Sequence, residues 1–131
     1  MSTLDKETPG PIGTRILPAG VEWDAVRVPH AVALTVLDKL GSAPGAILVD
    51  PQEQALYFFV PPRATDEWEL ANVRLLGVAT FVVVPPPERI APPGPYWLAE
   101  PGRQPWPLAD AEALHAVLAE HVASTSGTGT P

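Results

Sequence analysis

The sequence predicts an α+β protein with two layers, in which an antiparallel or mixed sheet of about five to seven short strands is covered by two helices. Three observations lead to this prediction. Two apolar runs, 46–49 and 56–60, flank the polar turn 50–54, which is the pattern of a hairpin. Two longer segments, 29–40 and 110–122, repeat apolar residues with a helical period. Several of the 18 prolines stand at the ends of short apolar runs, where their missing N–H stops a strand.

The composition predicts one domain that needs no disulfide or metal to fold. The chain has 131 residues, and 46% of them are hydrophobic. Residues 12–123 are expected to form this α+β domain, between a flexible arm at 1–11 and a disordered tail at 124–131, both poor in large apolar side chains. The absence of cysteine excludes thiol nucleophiles, thiolate metal sites and disulfides.

The charge balance bears on the kind of partner. Eight Lys and Arg stand against 15 Asp and Glu, for a net charge of −7. Such a surface repels phosphate backbones, so nucleic acid is an unlikely partner by this criterion. The longest apolar run is too short to cross a membrane, and the N-terminus lacks the apolar core of a signal peptide. We therefore expect a cytoplasmic protein that binds a protein partner or self-associates.

The strands are predicted in chain order from short apolar runs. Residues 12–17 form the first, which Pro18 ends. Alternation predicts the second at 25–28, and it places Trp23, Ala25 and Arg27 on one face and Asp24, Val26 and Val28 on the other. The hairpin over 45–62 is expected at the centre of the sheet, because nearly continuous apolar runs indicate strands covered on both faces. Two strands at 73–76 and 80–84 are predicted around Gly77, and a last one at 96–98 is expected on an edge.

The two helices are predicted from their starts, stripes and ends. Pro29 can open the first, because its missing N–H costs nothing there, and Gly41 can end it. Asp110 can cap the second or lie in its first turn. The expected buried stripes are Val32, Ala33, Val36, Leu37 and Leu40 in the first helix, and Leu114, Val117, Leu118 and Val122 in the second.

The sequence contains no spacing that is typical of catalysis, of a metal site or of cofactor binding. The histidines His30, His115 and His121 form neither an HxxxH nor an HExxH pattern, so we expect no metal, no cofactor and no catalytic residue. His30, Asp50 and Glu53 are the weak candidates for a polar site. An enzyme that uses them stays an alternative, and it requires these groups within hydrogen-bond reach of one another.

Aromatic and basic side chains in proline-rich loops form the candidate binding surface. Rings beside prolines can bind a peptide or stack on bases, although such rings also serve as lids over a small core. The members of this predicted surface are Trp68, Trp97, Trp106, Arg63 and Arg89.

Several segments taken together resemble a known group of proteins. They are WDAVRVP at 23–29, the hairpin at 45–62 with Trp68, VVVPPP at 82–87, YWLAEP at 96–101, and LADAEAL at 108–114. This set, which spans 12–122, resembles small actinobacterial, Streptomyces-type proteins labelled bifunctional DNA primase/polymerase-like. Working domains of that kind use a pair of metal-binding acids and a nucleotide-contacting histidine. Because only Asp50 could stand in for the acids, the resemblance implies a reduced, non-catalytic relative.

The sequence therefore favours a non-catalytic protein-interaction or regulatory module over an enzyme. A degenerate primase-polymerase-like domain that still binds nucleotide or DNA is the alternative.

Overall fold

The computed structural model describes residues 14–40, 45–70, 73–98 and 106–129. Within these residues, seven strands and two helices follow one another along the chain. They are β1 (Arg15–Pro18), β2 (Asp24–Pro29), α1 (His30–Leu40), β3 (Ile47–Asp50), β4 (Ala55–Val60), β5 (Arg74–Leu76), β6 (Phe81–Val84), β7 (Tyr96–Trp97) and α2 (Ala111–Gly129). The predicted α+β class is confirmed. The predicted arm at 1–11 and Gly41 lie outside the described residues.

Five strands form the main sheet, in the order β5-β2-β4-β3-β7, and every neighbouring pair is antiparallel. The β3–β4 hairpin lies at its centre, as the apolar runs predict. The strand β7 lies on an edge, also as predicted. The strand β2 pairs with β4 over its whole length, from Asp24 opposite Val60 to Pro29 opposite Ala55.

The strands β1 and β6 form a separate two-stranded antiparallel sheet. The predicted strands on either side of Gly77 therefore belong to different sheets, because β5 joins the edge of the main sheet and β6 pairs with β1. Val82 and Val84 of β6 are buried, and Leu17 of β1 packs beside them. This small sheet thus covers the face of the main sheet that the helices leave free.

The main sheet consequently has a hydrophobic core on each face. The first, which we call the helix-side core, joins β2, β3 and β4 to the helices. Its buried members are Val26, Val28, Ala33, Val36, Ile47, Val49, Leu56, Phe58, Val60, Ala109, Leu114 and Leu118. Burial on both faces explains why the apolar runs in β3 and β4 are continuous.

The second core, which we call the aromatic core, lies between the main sheet and the β1–β6 sheet. Its buried members are Ala19, Trp23, Ala25, Ala46, Leu48, Phe59, Leu76, Val82, Val84, Trp97 and Trp106. Phe59 is at its centre, with ring centroids 5.0 Å from Trp23, 5.9 Å from Trp97 and 5.2 Å from Trp106. Edge-on and tilted rings at such distances attract one another beyond the effect of area burial.

The side chains that the structure describes in the two helices follow the predicted stripes, and the Val122 side chain lies outside them. Pro29, expected to open α1, is the last residue of β2, and α1 begins at His30. In α1, Ala33 and Val36 are buried, and the other three predicted stripe residues pack beside them. At the start of α2, Asp110 Oδ1 accepts the backbone N–H groups of Glu112 and Ala113 at 2.9 and 3.2 Å, which is the expected N-cap. The helix continues to Gly129, through most of the segment 124–131 that the sequence predicts to be disordered.

A short segment, 106–109, passes from one core to the other. Trp106 belongs to the aromatic core, and Ala109 belongs to the helix-side core. Its backbone is tied to the sheet, because Pro107 O accepts the Ala46 N–H at 2.9 Å and the Ala109 N–H donates to Phe59 O at 2.8 Å. Gly45 lies against it with φ +79°, and a Cβ there would stand 2.6 Å from Ala109 N, so only glycine fits.

Neither helix within the described ranges combines the length and the apolar character that a membrane-spanning segment requires.

Candidate functional site

The face of the main sheet that carries the aromatic core has two different ends. On three neighbouring strands, an apolar side chain at one end is followed two residues along by a polar one at the other. The pairs are Ala25 and Arg27 on β2, Phe59 and Tyr57 on β4, and Leu76 and Arg74 on β5. The register brings each set together, since Ala25 lies opposite Phe59 and Leu76, and Arg27 lies opposite Tyr57 and Arg74.

The polar end forms an open cavity of about 280 Å³, which we call the polar cleft. Arg27, Arg74, Glu53 and Gln54 supply its polar lining. Pro29, Ala55 and Val73 supply the apolar part of its wall. The cleft is therefore a small depression in which two cations, one carboxylate and an apolar surface face the same space.

The two arginines of the cleft differ in their contacts. Arg27 is half-buried, and its Nη2 donates to Glu53 Oε1 at 3.0 Å. Arg74 is exposed on the edge strand β5, and its guanidinium makes no hydrogen bond or ion pair with any residue that the structure describes. Their Cβ atoms are about 5 Å apart, as in any directly opposed antiparallel pair, and like charges in this position repel.

Tyr57 stands next to Arg27 in the same cross-strand row. Burial raises the pKa of its phenol above the ordinary value of 10.0, and Arg27 and, more weakly, Arg74 partly oppose this increase. The carboxylates of Asp50 and Glu53 raise the pKa further. The phenol is thus a neutral hydroxyl at physiological pH, available as a hydrogen-bond donor beside the cleft.

The three weak polar candidates lie around the β3–β4 turn, but their side chains are not assembled as a reactive group. Asp50 Oδ1 accepts the Glu53 N–H at 3.2 Å and so stabilises the turn. Glu53 is paired with Arg27, and the His30 side chain is exposed. No hydrogen bond in the described part of the chain joins the His30 imidazole to either carboxylate.

The same turn contains a strained backbone position. Gln54 has φ +54°, in the left-handed region that favours glycine, and its carbonyl accepts the His30 N–H at 2.8 Å. This bond ties the start of α1 to the rim of the polar cleft. Across the residues that the structure covers, no group of three His, Asp or Glu side chains could hold a metal ion.

Two members of the predicted binding surface are buried. Trp97 is 1% exposed and Trp106 is 6% exposed, and their rings meet edge to face in the aromatic core with centroids 5.0 Å apart. The Trp97 indole N–H donates to Pro85 O at 3.2 Å, which satisfies its polar atom inside the core. Their place on a surface is therefore corrected, because proximity to proline in the sequence does not decide which way a ring points.

The other three members lie in separate loops or contacts. Trp68 is half-buried against α2, with its ring centroid 4.8 Å from that of His115. Arg63 is exposed and pairs with Asp66 at 2.6 Å. Arg89 Nη1 donates to Pro93 O at 3.3 Å within its own loop. Among the described residues, no hydrogen bond, ion pair or ring contact joins these three side chains to one another.

A buried carboxylate was not identified as important by sequence reasoning. Asp24 is fully buried at the start of β2, and its Oδ2 accepts the Thr65 hydroxyl at 2.8 Å. Within the described ranges no group donates to its Oδ1. The contact holds the 61–70 loop against the sheet. The available signal was a single acid in an otherwise apolar alternation with Val26 and Val28.

The outer surface of the β1–β6 sheet is apolar. Ile16 is 42% exposed, Phe81 62% and Val83 47%. Ile16 lies directly opposite Val83, and Pro18 lies opposite Phe81. We call these four residues the outer apolar face. Sequence reasoning missed it, although β6 is apolar at all four positions and only two of them, Val82 and Val84, point inward.

The turns beside this face extend it. Val21 and Val78 are 66% and 63% exposed. Gly20, with φ +86°, brings their turns together, because a Cβ on it would lie 2.6 Å from Val78 N. The Ala19 N–H also donates to Thr80 O at 2.9 Å. Six apolar side chains therefore lie on or beside one small surface.

Comparison with known proteins gives no relative. No family model matches this sequence, and no curated protein or solved structure is significantly similar to it. The relationship to primase/polymerase-like proteins therefore stays a prediction. Asp50, which that relationship would put in the place of a metal-binding acid, uses its carboxylate in the turn.

Proposed function

We propose that this protein is a non-catalytic interaction module that self-associates through its outer apolar face. The observation that carries the proposal is the cross-strand set of exposed side chains, Ile16 with Val83 and Pro18 with Phe81. Exposed apolar surface of this kind costs free energy in water, and its burial against a second copy would recover it.

The edges of the β1–β6 sheet support a second copy as the occupant. A two-stranded sheet leaves one edge of each strand unpaired. Pairing of the same edge across a twofold axis would extend the small sheet to four strands. Such an interface is self-complementary, since each copy offers the same strand to the other.

Charge also favours contact at this face. Each copy carries a net charge of −7, so most approaches between two copies are repulsive. The outer apolar face contains no acidic residue, and its four members are uncharged. Two like-charged molecules would meet with least repulsion where neither presents a carboxylate.

The size of the face sets the expected affinity. Stable interfaces bury about 800 Å² on each partner, which is more than six side chains can supply. Backbone hydrogen bonds along the paired edge would add to this contact. We therefore expect a reversible dimer with a dissociation constant between about 1 µM and 1 mM.

Sedimentation equilibrium over this concentration range tests the proposal. The weight-average mass of the wild-type chain should rise with concentration from 13.9 kDa towards twice that value. The variant Phe81→Ser should stay monomeric, because it removes the largest exposed side chain of the outer apolar face. Leu34→Ser is the matched control: Leu34 is 53% exposed but lies on α1, so this variant should dimerise like the wild type.

Two outcomes would overturn the proposal. A wild-type chain that remains monomeric at 1 mM excludes self-association at the strength expected of this face. A dimer that Phe81→Ser leaves intact has its interface elsewhere. Circular dichroism of both variants distinguishes loss of association from loss of folding.

A further inference from the structure

The polar cleft holds an arrangement that the proposed self-association does not use. Arg27 and Arg74 are directly opposed on adjacent strands, and both line the same cavity. We propose that this cleft binds a small organic carboxylate, whose two oxygens would be held by the two guanidinium groups.

Both arginines have N–H donors that no described residue occupies. A guanidinium carries five N–H groups, and the Glu53 contact occupies one from Nη2 of Arg27. The Arg74 guanidinium makes no hydrogen bond or ion pair with any described residue. A carboxylate placed between them would accept from both, and arginine holds this group in a planar, bidentate geometry.

The repulsion between the arginines gives the site its affinity for an anion. Like charges that face each other across two strands destabilise the sheet. Glu53 neutralises one of the two charges from the side of the turn, and the second stays uncompensated. An anion bound between the two guanidinium groups would remove their repulsion. The folded protein should therefore be more stable with the anion bound than without it.

Neighbouring acids favour a carboxylate over a phosphate. Glu53 lines the cleft and Asp50 lies at the same turn, and both act on the nearby Tyr57 phenol. A dianionic phosphate would be repelled by these two charges, whereas a monoanion carries half of that penalty. The arrangement therefore selects against the ligand that two arginines alone would prefer.

The apolar wall indicates what the carboxylate is attached to. Pro29, Ala55 and Val73 line the cavity beside the arginines. A volume of about 280 Å³ is below the range typical of drug-sized ligands. A short aliphatic chain fits this wall, so the expected ligand has a charged head between the arginines and a few carbons against Pro29 and Val73.

A titration with sodium butyrate, followed by NMR of the full chain, tests this inference. The Nε–Hε signals of Arg27 and Arg74 and the backbone amides of β4 should shift and saturate, with a dissociation constant on the order of a few millimolar for so small a ligand. Sodium chloride at the same ionic strength should not produce the same saturable shifts.

The variants identify the binding residue. Arg74→Gln should weaken butyrate binding by at least about tenfold, because it removes one of the two charge-assisted donors. Arg74 is exposed on an edge strand, so the variant should fold normally. Arg63→Gln is the matched control, since Arg63 is also exposed but does not line the cleft.

The phenol of Tyr57 supplies a second readout. A bound anion beside it should raise the pKa of Tyr57 further, as Asp50 and Glu53 already do. The variant Tyr96→Phe leaves Tyr57 as the chain's single tyrosine, so its absorbance change near 295 nm can be followed with and without butyrate.

Three results would overturn the inference. They are shifts that never saturate, binding that Arg74→Gln leaves unchanged, and phosphate binding tighter than butyrate binding. None of them depends on association, because Phe81→Ser keeps the cleft and can be titrated as a monomer. Failure of this site and failure of the proposed dimer are therefore distinguishable.

Discussion

The two ends of one face of the main sheet differ in burial. At one end, Ala25, Phe59 and Leu76 are buried under the β1–β6 sheet and the tryptophan rings. At the other end, on the same strands and the same face, Arg27 and Arg74 line the open polar cleft and Tyr57 lies beside it. The distance between the ends is one side-chain repeat, roughly 7 Å along a strand.

This difference teaches that a sheet face is not one environment. The covering sheet consists of four-residue strands, so it reaches only part of the main sheet. Where it ends, the side chains change from apolar to polar within a single repeat. The following predictions test how sharp that boundary is, from the largest expected effect to the smallest.

Phe59→Ala should produce the largest loss of stability. The ring is fully buried and touches three tryptophans, so its removal should lower the free energy of unfolding by about 3–5 kcal/mol. Tyr57→Ala, two residues along, should cost less than half as much because Tyr57 is half-buried. Urea unfolding monitored by circular dichroism measures both values, and equal losses would contradict the boundary.

Two carboxylates at opposite ends of the main sheet should also differ, although Asp24 lies on the other face, with Val26 and Val28. Asp24→Ala leaves the buried Thr65 hydroxyl and N–H without their acceptor, and it should cost about 1–3 kcal/mol. Asp50→Ala removes one hydrogen bond in a turn that faces solvent, and it should cost about 0.5–1 kcal/mol. Thermal unfolding of the two variants gives the comparison, and a more damaging Asp50→Ala would reverse it.

Arg74→Gln should slightly stabilise the ligand-free protein. It removes the repulsion with Arg27, which should raise the free energy of unfolding by about 0.3 kcal/mol at low salt. In 1 M NaCl, where charges are screened, the gain should disappear. Arg63→Gln instead loses an ion pair with Asp66 and should not stabilise. Denaturation at both salt concentrations tests the sign.

Alkaline pH should lower the free energy of unfolding through Tyr57, which lies at the open end. Because the folded-state pKa of Tyr57 is raised above 10.0, the unfolded chain releases this proton at a lower pH than the folded chain. The associated stability is complete below pH 10 and is lost as pH rises through the raised pKa. Tyr57→Phe should flatten this decline, which urea unfolding at several pH values above 9 would measure.

Local periodicity predicts much of the fold. The hairpin at the sheet centre, the stripes of both helices and the Asp110 cap each depend on residues close together in the chain. The assignment of β5 and β6 to different sheets does not depend on residues close together in the chain. Residues 73–76 and 80–84 are near enough to suggest a hairpin, but β6 pairs with β1, from Phe81 opposite Pro18 to Val84 opposite Arg15. Such a pairing between distant segments leaves no local pattern.

The polar cleft was only partly predictable. Alternation correctly places Arg27 on the face of Trp23 and Ala25, yet nothing in the sequence brings Arg74 opposite it, because that depends on the β2–β5 register. The outer apolar face could not be predicted from the sequence for a related reason. Apolar alternation shows that Phe81 and Val83 share a side, but only the finished layers show that this side faces water.

The segment 106–109 connects the two cores, so tryptophan fluorescence can report whether they unfold together. Trp106 stacks on Trp23 and meets Trp97 edge to face on one side of the main sheet, while a few residues later the chain enters α2 on the opposite side. If α2 detaches, it should pull this segment and change the emission of Trp23, Trp97 and Trp106, which belong to the aromatic core on the other face of the sheet. The two halves should therefore melt as one unit. In a Trp68→Phe variant, which removes the indole that packs against α2, tryptophan fluorescence and helical ellipticity should follow the same curve.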